Sequence, residues 1–271
     1  MINYSFKKSL VFTIILLFIG ISFSQSYGVM INEIAGISQN QSNILFVGGS
    51  GSDNYTKIQD AIDAAKPDDI ILVSRGVYYE NLYIDKKIIL FGEDKDSTII
   101  DGGRTVQESI VIENNRNSDV VFVFSADSVY IADFSIRNGG AGINFENSTN
   151  NNIAECNIYS NSIGFKLNES SYNLILCCNL FKNLIDGIQM IDSFNNNLRN
   201  LNIFLNEEGV LLEYSSYNIF NCCNISNNIY KNMWLKNYSN NNETLKFDFM
   251  ETQPTKGNTP MSLRRSAPYS S

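Results

Sequence analysis

The chain has 271 residues, of which 44% are hydrophobic and 18% are charged, and its formal net charge is −8. An acidic protein is repelled by phosphate backbones, so we predict no nucleic-acid partner. The chain contains no histidine, which excludes Ser-His-Asp triads, Cys-His dyads and histidine-containing zinc or copper sites.

The N-terminal residues have the organisation of a secretory signal peptide. Lys7 and Lys8 precede an apolar run at residues 9–23, and small or polar residues follow at 24–28. This order is typical of a cleaved signal, whereas an uncleaved anchor needs a longer apolar run. We therefore expect export to the periplasm, the cell surface or the medium, with no membrane span once residues 1–28 are removed.

Residues 29–54 form a lead-in, and residues 55–66 carry a helical pattern. Apolar residues recur in this second segment at the i, i+3, i+4 and i+7 spacing of an amphipathic helix. They are Ile58, Ala61, Ile62 and Ala65. Thr56 and Gln59 have the spacing of a capping box, and Pro67 marks the end of the helix. An open solenoid end needs a cover, so we predict that this helix is an N-terminal cap.

Short apolar strands separated by turn residues follow the helix. We predict them at residues 70–74, 82–84, 88–91, 98–100, 109–112 and 120–124. Residues 129–138, followed by the apolar phrase at 142–145, are predicted to form a further coil of the same kind.

The second half of the chain repeats with a period of about 22–23 residues. Four copies begin at Ser148, Ser170, Ser193 and Ser215. A fixed period of this length indicates a solenoid, in which each coil buries its apolar face on the next. The period is too short for helical arrays, and the leucine-rich-repeat pattern is absent. Local alternation of apolar residues instead favours three short strands per coil.

We therefore predict an all-β fold, a right-handed parallel β-helix solenoid of about eight coils between Ile70 and Met250. The domain would span residues 55–250. Stacking in register places equivalent residues about 4.8 Å apart.

Three interior columns follow from this register. The first is Cys156, Cys178, Leu201 and Cys223. The second is Ile158, Leu180, Ile203 and Ile225. The third is Ile143, Phe165, Ile188, Val210 and Met233, although the alternate residues there could equally face inward.

A polar column lies between the first two apolar columns. Its members are Asn157, Asn179, Asn202 and Asn224. Stacked amides can hydrogen-bond from coil to coil, so we predict an amide ladder that fixes one corner.

The five cysteines are an odd number for an exported protein. Cys156 and Cys178 lie close enough in adjacent coils for a disulfide, but we prefer a ladder of buried thiols that act as small apolar residues. Cys177 and Cys222 are predicted to face outward. Because adjacent cysteines of a strand point to opposite faces, we predict no metal site at these residues.

Tyr159, Phe181 and Phe204 follow the inward isoleucine column. If they point outward, they form a ladder of exposed rings on which sugar rings could stack, which makes them candidate carbohydrate-binding residues. If the turn inverts the parity, the rings belong to the core. We prefer this second alternative, because aromatic side chains are commonly buried.

Charged residues give no sharp site. Acidic residues at 68–69 and 93–96 lie at predicted turns, where carboxylates are common, and a calcium site would need about six to eight converging oxygens. Arg75, Arg104 and Arg137 could stabilise the charge of an acidic sugar, although no spacing singles one out. We predict no metal and no cofactor.

Residues 58–103 resemble the opening of right-handed parallel β-helix proteins of the pectin-lyase-like superfamily. The resemblance lies in the capping helix, a G-x-Y-x-E turn at 76–80, a K-x-I-x-L-x-G strand ending at Gly92, and the T-I-I-D-G-G segment at 98–103. The later N-x-I and G-I-x-L phrases are similar to the repeats of NosD-type periplasmic proteins, which are linked to copper-enzyme maturation, and of bacterial and archaeal surface proteins.

The resemblance implies the fold more strongly than an activity. The Q-D-T-L and D-F-I-F-G segments of pectin methylesterases are missing. The G-H-G of polygalacturonases and the Y-G-x-D-P-H-D of alginate epimerases both need histidine. Copper handling would need a Met- or His-rich motif, which is absent, and Met190 and Met233 lie in a predicted core column.

We therefore expect an exported scaffold that binds carbohydrate or partner proteins and has no evident catalysis. A lyase-like polysaccharide enzyme and a NosD-like accessory factor for copper-enzyme maturation are the alternatives. Residues 251–271 are polar, contain three prolines and are predicted to be disordered. The last coil then lacks a cap, so a partner or a missing domain would cover its edge.

Overall fold

The computed structural model describes residues 42–104 and 118–245. The predicted signal peptide, the strand predicted at 109–112 and the predicted disordered tail lie outside these ranges. Within them the chain forms three parallel sheets, here called A, B and C, and one helix, α1 (Ile58–Ala64). The predicted all-β parallel solenoid is confirmed, while its right-handed sense stays a prediction. No helix of the described ranges is long and apolar enough to cross a membrane.

Seven successive coils each contribute one strand to each sheet in the order A, B, C, while the first and the last strand of the chain add to sheet A alone. Sheet A contains β1 (Ile44–Val47), β2 (Ile70–Val73), β5 (Ile89–Gly92), β8 (Tyr130–Ala132), β11 (Asn152–Ala154), β14 (Leu174–Leu176), β17 (Asn197–Arg199), β20 (Ile219–Asn221) and β23 (Glu243–Leu245). Sheet B contains β3 (Gly76–Tyr79), β6 (Thr98–Asp101), β9 (Ser135–Arg137), β12 (Asn157–Tyr159), β15 (Asn179–Phe181), β18 (Asn202–Phe204) and β21 (Asn224–Ser226). Sheet C contains β4 (Leu82–Ile84), β7 (Val121–Phe124), β10 (Ala141–Glu146), β13 (Ile163–Asn168), β16 (Asp186–Ile191), β19 (Glu208–Glu213) and β22 (Lys231–Lys236).

The solenoid is one coil longer than the predicted eight. Sheet A has nine strands, because β1 pairs in register with β2. Strand β1 lies within residues 29–54, which were predicted to be a lead-in without a strand of the solenoid. The segment at 76–80, expected to be a turn, begins with strand β3.

Helix α1 is shorter than predicted, and its capping is different. Its N-cap position is Lys57, which makes no side-chain capping bond, so the predicted capping box of Thr56 and Gln59 is wrong. Instead the Glu80 carboxylate accepts hydrogen bonds from the main-chain N–H groups of Ile58 and Gln59, at 2.9 and 3.0 Å. A negative charge at this position also suits the positive end of the helix dipole.

The interior holds an apolar core that runs along the coils, and a second, smaller cluster of buried apolar residues lies on sheet A. Cys156, Cys178, Leu201 and Cys223 are all buried in the interior core, as are Ile158, Leu180, Ile203 and Ile225. Sheet C contributes two inward residues per strand, such as Phe145 with Ile143 and Leu167 with Phe165. The predicted third column therefore faces inward, and the alternate residues next to its members, such as Asn144 and Lys166, are not part of the apolar core.

Sharp turns between the sheets depend on residues in the left-handed region. Each of the four coils from β8 to β19 has such a residue between sheets A and B, another between B and C, and two between C and A. In one coil they are Glu155, Ser160, Glu169 and Tyr172. Asn, Asp and Ser fill many of these positions, as expected for residues that tolerate this conformation.

Buried Ser and Asn side chains link the turns of successive coils. Between sheets C and A they are Ser148, Ser170, Ser193 and Ser215 in one column and Asn151, Asn173, Asn196 and Asn218 in another. Between sheets B and C they are Asn161, Asn183, Asn206 and Asn228. The side-chain oxygen of each of these residues accepts a hydrogen bond from the main-chain N–H of the equivalent residue in the preceding coil. For example, Asn173 N donates to Asn196 Oδ1 at 2.9 Å.

Asn196 shows how fully such a side chain is used. Its Oδ1 accepts from the N–H and the amide of Asn173, and its Nδ2 donates to Ser170 O at 3.1 Å and to Asn218 Oδ1 at 3.0 Å. The loss of this side chain would leave buried donors and acceptors without partners, which is the costly way to remove a hydrogen bond.

We expect Asn196→Ala to lower the free energy of unfolding by about 2–3 kcal/mol. Asn202→Ala removes the same side chain from the exposed face of sheet B and should cost less than about 0.5 kcal/mol. Urea denaturation of both variants gives the comparison. Equal losses would show that the buried columns do not stabilise the coils beyond ordinary surface contacts.

Candidate functional site

The outer face of sheet B carries a continuous column of side chains along the solenoid. It uses the last residue of each strand, because strand residues alternate between inside and outside and the middle residues, such as Ile158 and Leu180, lie in the core. In register order the column is Tyr79, Asp101, Arg137, Tyr159, Phe181, Phe204 and Ser226.

Tyr159, Phe181 and Phe204 are partly exposed on this face, so the preferred interpretation that they belong to the core is wrong. The rings of Tyr159 and Phe181 stack with centroids 5.0 Å apart and planes 12° apart. Phe181 and Phe204 stack at 5.2 Å and 7°. Because each ring covers a face of its neighbour, the column offers mainly ring edges to a ligand, and the expected row of open faces is absent from it.

A column of amides runs beside the rings on the same face. It uses the first residue of each strand, namely Asn157, Asn179, Asn202 and Asn224. Asn179 Nδ2 donates to Asn157 Oδ1 at 2.8 Å, and Asn202 Nδ2 donates to Asn179 Oδ1 at 2.9 Å. Asn157 Nδ2 in turn donates to the Asp96 carboxylate at 3.0 Å. The ladder thus lies outside the core and fixes the orientation of amides at the surface.

An ion pair continues the aromatic column at its N-terminal end. Arg137 Nε donates to Asp101 Oδ2 at 2.8 Å, and Arg137 Nη1 lies 3.4 Å from the Tyr159 hydroxyl. Burial alone would raise the pKa of Asp101, but hydrogen bonds from Asn138, Gly103 and Arg137 lower it below the ordinary value. Asp101 is therefore a charged carboxylate that holds Arg137 against the ring column.

A second charged group lies where sheets A and B meet. Lys95, in the turn after β5, forms a 2.8 Å ion pair with Glu155, and its main-chain oxygen accepts a bond from the Ser135 hydroxyl. Asp133 is close to this pair, in the left-handed region at φ 64°. Burial, followed by repulsion from Glu155, raises the pKa of Asp133 to about 7, although Lys95 opposes the shift.

The five cysteines of the described residues are free thiols, and their side chains divide into an inward and an outward group. Cys156, Cys178 and Cys223 are buried, whereas Cys222 is exposed and Cys177 is intermediate. Burial raises the pKa of Cys223 to about 11, so its thiol is protonated and apolar at neutral pH. The described ranges contain no group of three or more Cys, Asp or Glu side chains placed to hold a metal ion.

Sequence reasoning missed the contact between Asp101 and Arg137. These residues are 36 positions apart, well beyond the period of the repeat, so counting along the chain does not pair them. The usable signal was the T-I-I-D-G-G segment, whose aspartate ends a strand as Arg137 ends another.

The carboxyl of Asp133 makes folding stability depend on pH. Because its folded pKa of about 7 exceeds the unfolded value, folding takes up a proton between these values, and stability falls as pH rises from about 4 to about 7. We expect Asp133→Asn, which tolerates the left-handed backbone, to raise the urea midpoint at pH 8 and to change it much less at pH 4. An equal change at both pH values would contradict this assignment.

The solved structures that match this chain are parallel β-helix proteins. A pectate lyase, Pel9A, is 15% identical with a TM-score of 0.56, over 71% of this chain and 56% of its own. A pectin methylesterase from Yersinia enterocolitica is 17% identical with a TM-score of 0.47, over 68% and 67% of the two chains. At 15% identity the likeness to the pectate lyase shows the fold alone, and the chain spans about half the length of that protein.

Two sequence comparisons add to this. A probable pectinesterase/pectinesterase inhibitor of Arabidopsis thaliana is 41% identical over 73 residues, which are 24% of this chain and 13% of that protein. The model of the family described as periplasmic copper-binding protein (NosD) matches residues 66–259, which is most of the solenoid. The chain therefore belongs to the NosD family.

Proposed function

We propose that the protein is an exported β-helix scaffold of the periplasm or cell surface that binds carbohydrate along the outer face of sheet B. The observation that carries the proposal is the pairing of two columns on that face. One is the ring column of Tyr159, Phe181 and Phe204, and the other is the amide ladder beside it.

The two columns suit the two kinds of surface on a sugar. The C–H groups of a pyranose can make van der Waals contact with the exposed ring edges, while its hydroxyls exchange hydrogen bonds with amides that both donate and accept. Because the amides of Asn157 and Asn179 are already oriented by each other, little ordering is needed on binding, which favours affinity. An extended polysaccharide could lie along the solenoid and meet the same pair of columns in each coil.

A polysaccharide-active enzyme is the second candidate, because Asp101 and Arg137 lie at one end of the ring column. The stable charged state of Asp101 argues for binding over catalysis. Its pKa is lowered and its oxygens accept hydrogen bonds from Gly103, Arg137 and Asn138, so it is a weak proton acceptor. Arg137 is likewise neutralised by its partner.

The copper implied by the family description does not fit the described residues. Met190 and Cys156 are buried in the core, where a copper ion could not reach them without opening a coil. Cys177 is partly exposed, but burial raises its pKa to about 11, so it is not a thiolate at neutral pH. These residues therefore provide no copper site through which this part of the chain could act in copper-enzyme maturation.

A screen of acidic and neutral polysaccharides, scored for both binding and cleavage, tests the proposal. We expect retention of the full chain on at least one polysaccharide without release of shorter products. Cleavage would favour the enzyme instead, and retention on none would contradict the proposal.

For the bound polysaccharide, we expect Phe181→Ser together with Phe204→Ser to weaken binding about tenfold. Serine is the native residue of this column at Ser226, so the backbone accepts it. Tyr83→Ser removes an exposed ring from the outer face of sheet C and is the control, which should bind as the unaltered protein does. Affinity measured by calorimetry would oppose the proposal if both variants bound equally well.

A further inference from the structure

The turns that join sheet C to sheet A, here called the C–A corner, carry exposed aromatic rings in four successive coils. Their exposed fractions are 62% for Tyr172, 37% for Phe194, 44% for Tyr214, 56% for Tyr217 and 85% for Tyr238. Large contiguous exposed apolar patches on proteins mark interaction or ligand-binding surfaces. This corner lies outside sheet B and has no part in the site proposed above.

The backbone of the corner makes the tyrosines unexpected. Tyr172 and Tyr217 have φ of 60°, and Tyr214 and Tyr238 have φ of 49° and 54°. Asn is favoured there and bulky residues are not; indeed Asn150 and Asn195 fill the same column as Tyr172. Single bulky residues such as Leu205 occur in this conformation elsewhere, but only this corner of the described residues repeats aromatic rings from coil to coil. Turn geometry therefore does not explain these tyrosines, and a role at the surface would.

The rings of the C–A corner differ from those of sheet B in that Tyr172 and Tyr217 are more than half exposed and do not stack on another ring. In the described part of the chain, the stacked or tilted ring pairs involve none of these five residues. Asn195 lies between Tyr172 and Tyr217 in their column, whereas Tyr214 and Tyr238 follow one another in the neighbouring column without forming a ring pair. A ring with an open face and a hydroxyl at its edge can stack on a sugar and also hydrogen-bond to it.

Main-chain hydrogen bonds between coils fix the backbone that carries these rings. Tyr172 N donates to Phe194 O at 3.1 Å, and Tyr217 N donates to Asn240 O at 3.3 Å. Tyr172 and Tyr217 are two coils apart, which corresponds to about 9.6 Å along the solenoid. This separation is comparable to one disaccharide unit of an extended glycan, and the exposed amide of Asn195 lies between the two rings.

The charges at the corner select among glycans. Glu169 and Asp192 are exposed in the neighbouring column, and Glu213 lies at the end of β19 beside Tyr214. Lys236, in register with Glu213 in the next coil, is the one basic residue among the described ends of these strands, so the edge beside the exposed rings is acidic. An acidic polysaccharide would meet like charge along this edge, which disfavours its approach. An uncharged chain meets no such penalty.

We propose that the C–A corner is a second binding surface, which takes an uncharged polysaccharide with Tyr172 and Tyr217 stacked on alternate sugar rings and Asn195 bonded between them. The class of ligand follows from the exposed rings, the two-coil spacing and the acidic surroundings. The proposal goes beyond carbohydrate binding at sheet B and does not depend on it.

The test uses the full chain with cellohexaose, chitohexaose and mannohexaose as uncharged probes and hexagalacturonate as the acidic one, by calorimetry. The unaltered protein should bind at least one uncharged probe. Tyr172→Asn together with Tyr217→Asn should weaken that binding at least about tenfold, without lowering the melting temperature, because Asn is the better residue for this backbone. Leu205→Asn makes the same kind of change at another corner and should leave binding unaltered.

The remaining outcomes separate the two surfaces. Binding of an uncharged probe that survives the Tyr172/Tyr217 changes but is lost with Phe181→Ser and Phe204→Ser would overturn the corner proposal and leave sheet B as the site. Failure of all three uncharged probes to bind would also overturn it. Tighter binding of hexagalacturonate that depends on Tyr172 and Tyr217 would overturn the choice of an uncharged ligand.

Discussion

Hydrogen bonds from buried Ser and Asn side chains to the main chain of the preceding coil hold this solenoid together at its corners. Strands satisfy their own N–H and C=O groups through the ladders of sheets A, B and C, but the turns between them are also buried and need partners. Asn196, for example, bonds to both Asn173 and Ser170 of the coil before it. A slip of one residue would break these bonds in every corner at once, so they enforce one register, and the columns of the core and the surface follow from that register.

The same register gives aromatic residues two different roles. On sheet B, consecutive coils place Tyr159, Phe181 and Phe204 in one unbroken column, so the rings stack on each other and their faces are used internally. At the C–A corner, Asn195 separates Tyr172 from Tyr217, and the rings stay exposed. Tyr172 and Tyr217 are therefore too far apart to stack on each other as the rings of sheet B do.

Much of the fold could be predicted from the sequence, because a period of about 22–23 residues constrains the register of all three sheets. The rest depended on information that the period does not contain. Strand β1 lies before the regular repeat, and the partner of helix α1 is Glu80, 22 residues from Ile58. The outward column of Asn157 could be predicted, but the buried columns of Asn151 and Asn161, which bond to the main chain at the corners, could not. Every coil contains several asparagines, and only coordinates show which of them point inward. The prediction that the rings of Tyr159, Phe181 and Phe204 point inward failed for a related reason. The inward or outward direction of a side chain cannot be counted along the sequence across a turn.

Hydrogen exchange of the turn amides tests this account most directly. The N–H groups of Asn151, Asn173 and Asn196 lie just before strands and bond to an Asn side chain of the following coil. If buried side chains hold the coils in register, these amides should exchange as slowly as the strand amides of Ile153 and Ile175, through the same global opening. Exchange at the rate of an exposed turn, with the strands still protected, would contradict the account.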